Sequence, residues 1–146
     1  MEMNLLDDEG WAERTSPPER PGYRWRRNRI AGDHLGAGLY ELAPGESTWP
    51  YHHEIGNDEL RVVVAGRPTL RTPAGERELE PGDCVLFPSG PSGAHKPTNH
   101  SVEPTMLLLV SNFAMPRATV QLDSGNSVAR FYLAQAPPGQ AHTHDD

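Results

Sequence analysis

An all-β chain, short strands folded into a sandwich or barrel, is what these 146 residues favour, and two observations say so. Fifteen prolines and 14 glycines together make a fifth of the sequence, and between Glu41 and Ser111 they leave no gap long enough for a sizeable helix. Between them lie β-like runs of about 5–6 residues, divided by turn chemistry. Helical bundles, coiled coils and βαβ repeats are thereby excluded.

Residues 1–22 read as an N-terminal arm, acidic at first and then rich in proline, with no sustained period. The folded domain is expected over 23–134. Residues 23–29 read as an edge strand. The run 37–42 ends at Pro44-Gly45, 49–54 at Gly56-Asn57, and 59–65 at Gly66. Residues 68–72 and 76–80 flank Ala74-Gly75 and form a mostly polar outer hairpin. Residues 84–87 follow the Pro81-Gly82-Asp83 turn, in which Asp83 is expected to cap the bend. The runs 104–112, 118–122 and 129–133 complete the set. Val62-Val63-Val64 and Leu107-Leu108-Leu109-Val110 are apolar at successive positions, as in central strands covered on both faces. Residues 135–146 read as a flexible tail, whose His142 and His144 can bind metal only adventitiously.

The charge of −7 argues against general nucleic-acid binding. Arg14, Arg20, Arg24, Arg26, Arg27 and Arg29 crowd the N-terminal part; they read as a solvated block meeting Asp7, Asp8 and Glu9. The longest apolar run, 106–110, is far too short to span a membrane. Met1-Glu2-Met3-Asn4 lacks the pattern of a signal peptide. One cysteine, Cys84, excludes an internal disulfide and fits the cytoplasm; in an apolar run it reads as a buried, inert thiol.

The chemistry-bearing residues cluster. His52 and Glu54 are two apart on a strand and leave the same face. Glu59 opens the next strand after a turn, and His95 follows Pro88-Ser89-Gly90-Pro91-Ser92-Gly93. Two imidazoles and two carboxylates on neighbouring strands can hold a divalent ion with positions left open. A histidine in a β-protein is, on its own, more often a structural residue.

Residues 45–66 resemble the first motif of the cupin family: a glycine, a loop, the spaced histidine positions, a glutamate and a later glycine. Residues 82–99 are similar to the second, with Gly82, Pro88, Gly90, His95 and Asn99 in order. The resemblance covers about half the chain and implies a double-stranded β-helix, a small jelly-roll barrel with a metal in its wider mouth. It makes His52, Glu59 and His95 ligands and gives Asn99 a structural role. The fourth ligand position, histidine in most of the family, is Glu54. Position 61, usually apolar, is Arg61, two beyond Glu59 and so on the same interior face.

Three arrangements stay open. Glu54 is the fourth ligand, favouring a harder ion such as Fe²⁺ or Mn²⁺, and Arg61 binds an anionic substrate. Alternatively Arg61 pairs with Glu54 and the metal is weakened or absent. Arg61 can also turn out to solvent. Trp49, Tyr51 and Phe87 are candidates to line the pocket, while Tyr51 and His53 fall outside it by strand parity, leaving no dedicated acid or base. The resemblance therefore implies a metal-dependent enzyme (Fe, Mn, Zn or Ni) acting on a small, possibly anionic molecule by oxygenase or isomerase-type chemistry. The alternative is a small-molecule-binding protein without turnover. A homodimer is expected, with 23–29 the strand added to a partner's sheet.

Overall fold

The computed structural model describes residues 1–18, 22–112 and 116–123, together with the backbone of 128–132. The expected tail, with His142 and His144, lies outside the described residues. Among the described residues twelve strands and one 3₁₀ turn follow in order: β1 (Ala12–Thr15), β2 (Arg24–Ala31), β3 (Leu35–Leu42), β4 (His52–Ile55), β5 (Glu59–Ala65), β6 (Thr69–Thr72), β7 (Gly75–Glu78), β8 (Cys84–Phe87), the turn Pro91–Gly93, β9 (Lys96–Thr98), β10 (Thr105–Asn112), β11 (Arg117–Gln121) and β12 (Val128–Tyr132). A six-stranded sheet runs β1-β2-β3-β10-β5-β8, and two three-stranded sheets run β12-β11-β4 and β7-β6-β9. The fold is the all-β barrel expected.

Alternation along the strands decides what fills it. Tyr40 and Leu42 of β3, Val63 of β5 and Leu107 of β10 point inward and meet Leu70 of β6, Leu79 and Phe87. Leu42, Leu70 and Leu107 are essentially sealed from solvent, each such burial stabilising by roughly 1.5–3 kcal/mol. Tyr23 and Trp25 extend this core, with Trp49 against both at ring-centroid separations of 4.8 and 5.4 Å.

Four expectations are corrected. Residues 23–29 are not at an edge: β2 pairs with β1 on one side and β3 on the other, because residues 12–15 of the arm supply a further strand. Among the described residues the clustered arginines form no ion pair with Asp7, Asp8 or Glu9, and Arg20 lies outside those residues. Arg24 pairs with Glu46, and Arg26 with Glu13 and Glu41, since cross-strand neighbours are closer than the start of the arm. That start lies instead on the outer face of β2, where the buried Asn28 amide donates to the Leu5 and Glu9 carbonyls. Cys84 is exposed, not buried: it shares with Leu86 the outward face of β8, an edge strand. The same outward face leaves Val64 exposed, so the central strands are not covered on both sides throughout.

Candidate metal centre

The site forms where β4, β5 and the segment after the 3₁₀ turn converge. His52 and His95 exchange backbone hydrogen bonds in both directions, His52 N to His95 O at 3.3 Å and the reverse at 2.9 Å, which fixes the two imidazoles side by side. A tight turn delivers His95 there. A side chain at Gly93 would place its Cβ 1.9 Å from the Pro88 carbonyl oxygen, so the chain can fold this closely only on glycine. Asn99 locks the following loop, donating to the Leu42 and Glu103 carbonyls and accepting from Ser101, the structural role expected of it.

His52, Glu59 and His95 each present one ligand atom within 4.8 Å of the others, and all three are buried. His52 Nδ1 lies 2.8 Å from the Pro50 carbonyl, and His95 Nδ1 2.8 Å from that of Gly93. A carbonyl can only accept, so each Nδ1 carries the proton and leaves Nε2 directed into the site. His95 Nε2 stands 3.0 Å from Glu59 Oε2, yet neither buried atom has a hydrogen bond of proper geometry. Two acceptor atoms facing one another in a sealed site call for a cation between them. Two imidazole nitrogens and a carboxylate are also a donor set that suits divalent zinc, iron, manganese or nickel. Phe87 stacks on the His95 ring at 3.8 Å and holds its orientation.

The remaining polar groups surround this cluster. Glu54 Oε1 lies 3.8 Å from His52 Nε2, beside the three-residue group, and its Oε2 accepts from Thr119 Oγ1 at 3.1 Å. Arg61 is buried, which removes the arrangement in which it turns to solvent. Its ion partner is Glu59, with Nη2 at 3.7 Å from Oε2, and Nη1 donates to Thr48 Oγ1 at 3.2 Å. Trp49 sits in the aromatic core. Tyr51 lies under the Arg71 guanidinium, 4.0 Å from its ring centroid. His53 is on the opposite face of β4 from its neighbours, and both Tyr51 and His53 are buried rather than solvated.

Burial dominates the protonation states. It pushes His52 down to about 4, with the neighbouring His95 imidazole acting in the same direction, so His52 is neutral at physiological pH. Burial, then the Glu59 charge, raises Glu54 to about 7; Arg117 and Thr119 oppose this in part. For Glu59 burial also favours the neutral acid, but His95, Arg61 and His52 outweigh it and hold the carboxyl well below its usual range. Thr48, Thr119 and Arg117 had escaped the sequence reading. Strand parity with Glu54 and His52 would have flagged Thr119, but only once β11 was known to pair with β4.

The cupin domain profile matches residues 38–111. Among solved structures, a cupin-superfamily sugar phosphate isomerase from Silicibacter pomeroyi is similar at 22% identity with a TM-score of 0.71, covering 88% of this chain and 92% of that one. A predicted oxalate decarboxylase from Thermotoga maritima matches at 16% identity and a TM-score of 0.63, over 77% of this chain and 100% of that one. A Cupin 2 conserved barrel domain protein from Salinispora arenicola matches at 24% identity and 0.56, over 76% and 87%. At these identities the likenesses bear on fold alone. A search of curated proteins finds no match.

Proposed function

The chain belongs to the cupin family, and from that premise we propose that it is a metal-dependent enzyme acting on a small anionic molecule by isomerase-type proton transfer. The observation that carries the proposal is the convergence of His52, His95 and Glu59, one ligand atom of each within 4.8 Å of the others, with both imidazoles pinned at Nδ1. A divalent ion bound there supplies Lewis acidity toward a substrate oxygen. The rest falls to the chain's own groups. Glu54, raised to about 7, is poised to take and return a proton at Oε1, while Thr119 holds its other oxygen in place. That favours proton transfer over oxygenase chemistry, which needs no such group. Arg61 holds Glu59 in its ionised form and offers a guanidinium edge to an anionic substrate.

A second reading, a binding protein without turnover, rests on the same pocket. A homodimer and a reducing, cytoplasmic location remain part of the proposal, the latter supported by the exposed lone thiol of Cys84; no described helix is long and apolar enough to cross a membrane.

Plasma mass spectrometry tests the metal on protein carrying His142→Ala and His144→Ala. We expect near-stoichiometric metal, abolished by His52→Ala with His95→Ala. Protein that stays metal-free after exposure to Fe²⁺, Mn²⁺, Zn²⁺ and Ni²⁺ overturns the proposal. Incubation with pooled metabolites in D₂O then separates enzyme from binder: metal-dependent deuterium incorporation, lost in a Glu54→Gln protein that keeps its metal, is the enzyme's outcome. If Glu54→Gln loses the metal, Glu54 is a ligand.

A further inference from the structure

Along β2 the side chains divide by parity. Arg24 and Arg26 point outward and meet carboxylates, as described above. Trp25, Arg27 and Arg29 point inward: Arg27 is in register with the buried Tyr40 and Arg29 with Gly38. Arg27 lies flat against this wall, its guanidinium 4.9 Å from the Trp25 ring centroid, and Nη1 donates to Tyr40 Oη at 3.3 Å. Its stem packs against Gly38, where a Cβ would sit 3.3 Å from Tyr40 Cε2 and 3.4 Å from Arg27 Cδ. Across the barrel, Arg117 shares the face of Thr119 and hence of Glu54. Burial, then the Arg27 charge, depresses the pKa of Arg29, with Arg117 acting in the same direction and Tyr40 against it. Arg29 thus has Arg27 two residues away on the same inward face and feels the charge of Arg117, which also acts on Glu54.

No carboxylate among the described residues lies within 4.0 Å of Arg27 or Arg29, and Arg27 Nε is buried without a hydrogen bond. Arg27 and Arg29 thus place two positive charges on one inward face with no described carboxylate within ion-pair distance, in a chain whose net charge is −7. Half-buried like charges repel and are costly to keep without a counter-ion. We propose that Arg27, Arg29 and Arg117, beside Tyr40, form a second site inside the barrel that binds the phosphoryl dianion of the substrate. A phosphate monoester matches the cluster better than a carboxylate: it brings two negative charges and three equivalent acceptor oxygens to three guanidinium forks. The inference rests on the enzyme reading above and gives its substrate a polarity, one end at the His52–Glu59–His95 cluster and a phosphate at the β2 wall.

The test titrates inorganic phosphate into the full-length protein at fixed ionic strength, before and after chelation, and follows tryptophan fluorescence, to which Trp25 beneath Arg27 contributes. We expect saturable binding that survives chelation and weakens about tenfold or more in Arg29→Met. Arg26→Met, an outward control, should bind as the parent does. Arg29→Met should melt no lower than the parent without phosphate, since it removes an uncompensated charge; the variant is therefore informative even if others misfold. Absent binding, binding that disappears with the metal, binding indifferent to Arg29→Met, or equal binding of acetate each overturns the phosphate site. Metal content, measured on the same samples, reports separately on the enzyme reading.

Discussion

Replacing Glu54 by glutamine should change how stability depends on pH, and the size of the change follows from two opposed titrations in the site. His52 falls from 6.5 to about 4 on folding, so between those values the unfolded chain binds its proton and the native protein does not. Stability from this source is complete above pH 6.5 and is lost as pH falls toward 4. Glu54 rises from 4.5 to about 7, so here the native protein holds the extra proton. That contribution is complete below pH 4.5 and is lost as pH rises through 7. One proton of linkage changes stability by about 1.4 kcal/mol per pH unit. From pH 4.5 to 6.5 the two slopes cancel in the metal-free parent. Glu59, held well below its usual range, titrates beneath this window. Glu54→Gln removes one side of the balance. The unfolding free energy of the variant minus that of the parent should therefore grow by about 2 kcal/mol over these two units. Urea denaturation of chelator-treated proteins at pH 4.5, 5.5 and 6.5 measures it. A difference that stays flat, or that falls with pH, refutes the assignment of a protonated Glu54 to the native site.

Three further outcomes are expected. Gly93→Ala must move the Pro88 carbonyl out of its way and should cost about 1–3 kcal/mol in denaturant unfolding, with weakened metal retention because His95 is displaced. Asn28→Ala removes the two hydrogen bonds to the Leu5 and Glu9 carbonyls together with one accepted from Arg29 N at 3.0 Å. It should cost about 1–3 kcal/mol and open residues 5–9 to limited proteolysis. Cys84 should react with a full equivalent of Ellman's reagent in the native protein, at a rate close to that in denaturant; protection would contradict its exposure.

The strand runs and the candidate cluster of His52, Glu59 and His95 were readable because they obey local rules. Gly-Pro turns cut the chain at the right places, so Glu59–Ala65 and Cys84–Phe87 are found as read, and a two-residue period puts Glu59 and Arg61 on one face. What was missed depends on which faces meet. Strand β1, Ala-Glu-Arg-Thr, has no apolar alternation; it is held by pairing with β2 and by its aromatic neighbours, with Arg26 over Trp11 at 4.9 Å. The orientation of Cys84 follows from which face of β8 is covered, something four apolar residues in a row cannot tell. Arg27 and Arg29 were read with the charge block around them, although alternation with Trp25 put them on its face. Composition spoke for solvent there, and parity spoke for the interior.

The paired backbone bonds of His52 and His95 have a consequence for time as well as geometry. They join stretches 43 residues apart in sequence (95 − 52 = 43). An ion gripped by both rings would close the same loop a second time, a link whose entropy, by analogy with a cross-link of that span, is about 4 kcal/mol. While the rung stays shut both rings keep their aim, so an ion released by one is held by the other and recaptured, and the lifetime of the loaded protein would lengthen with the stability of that rung.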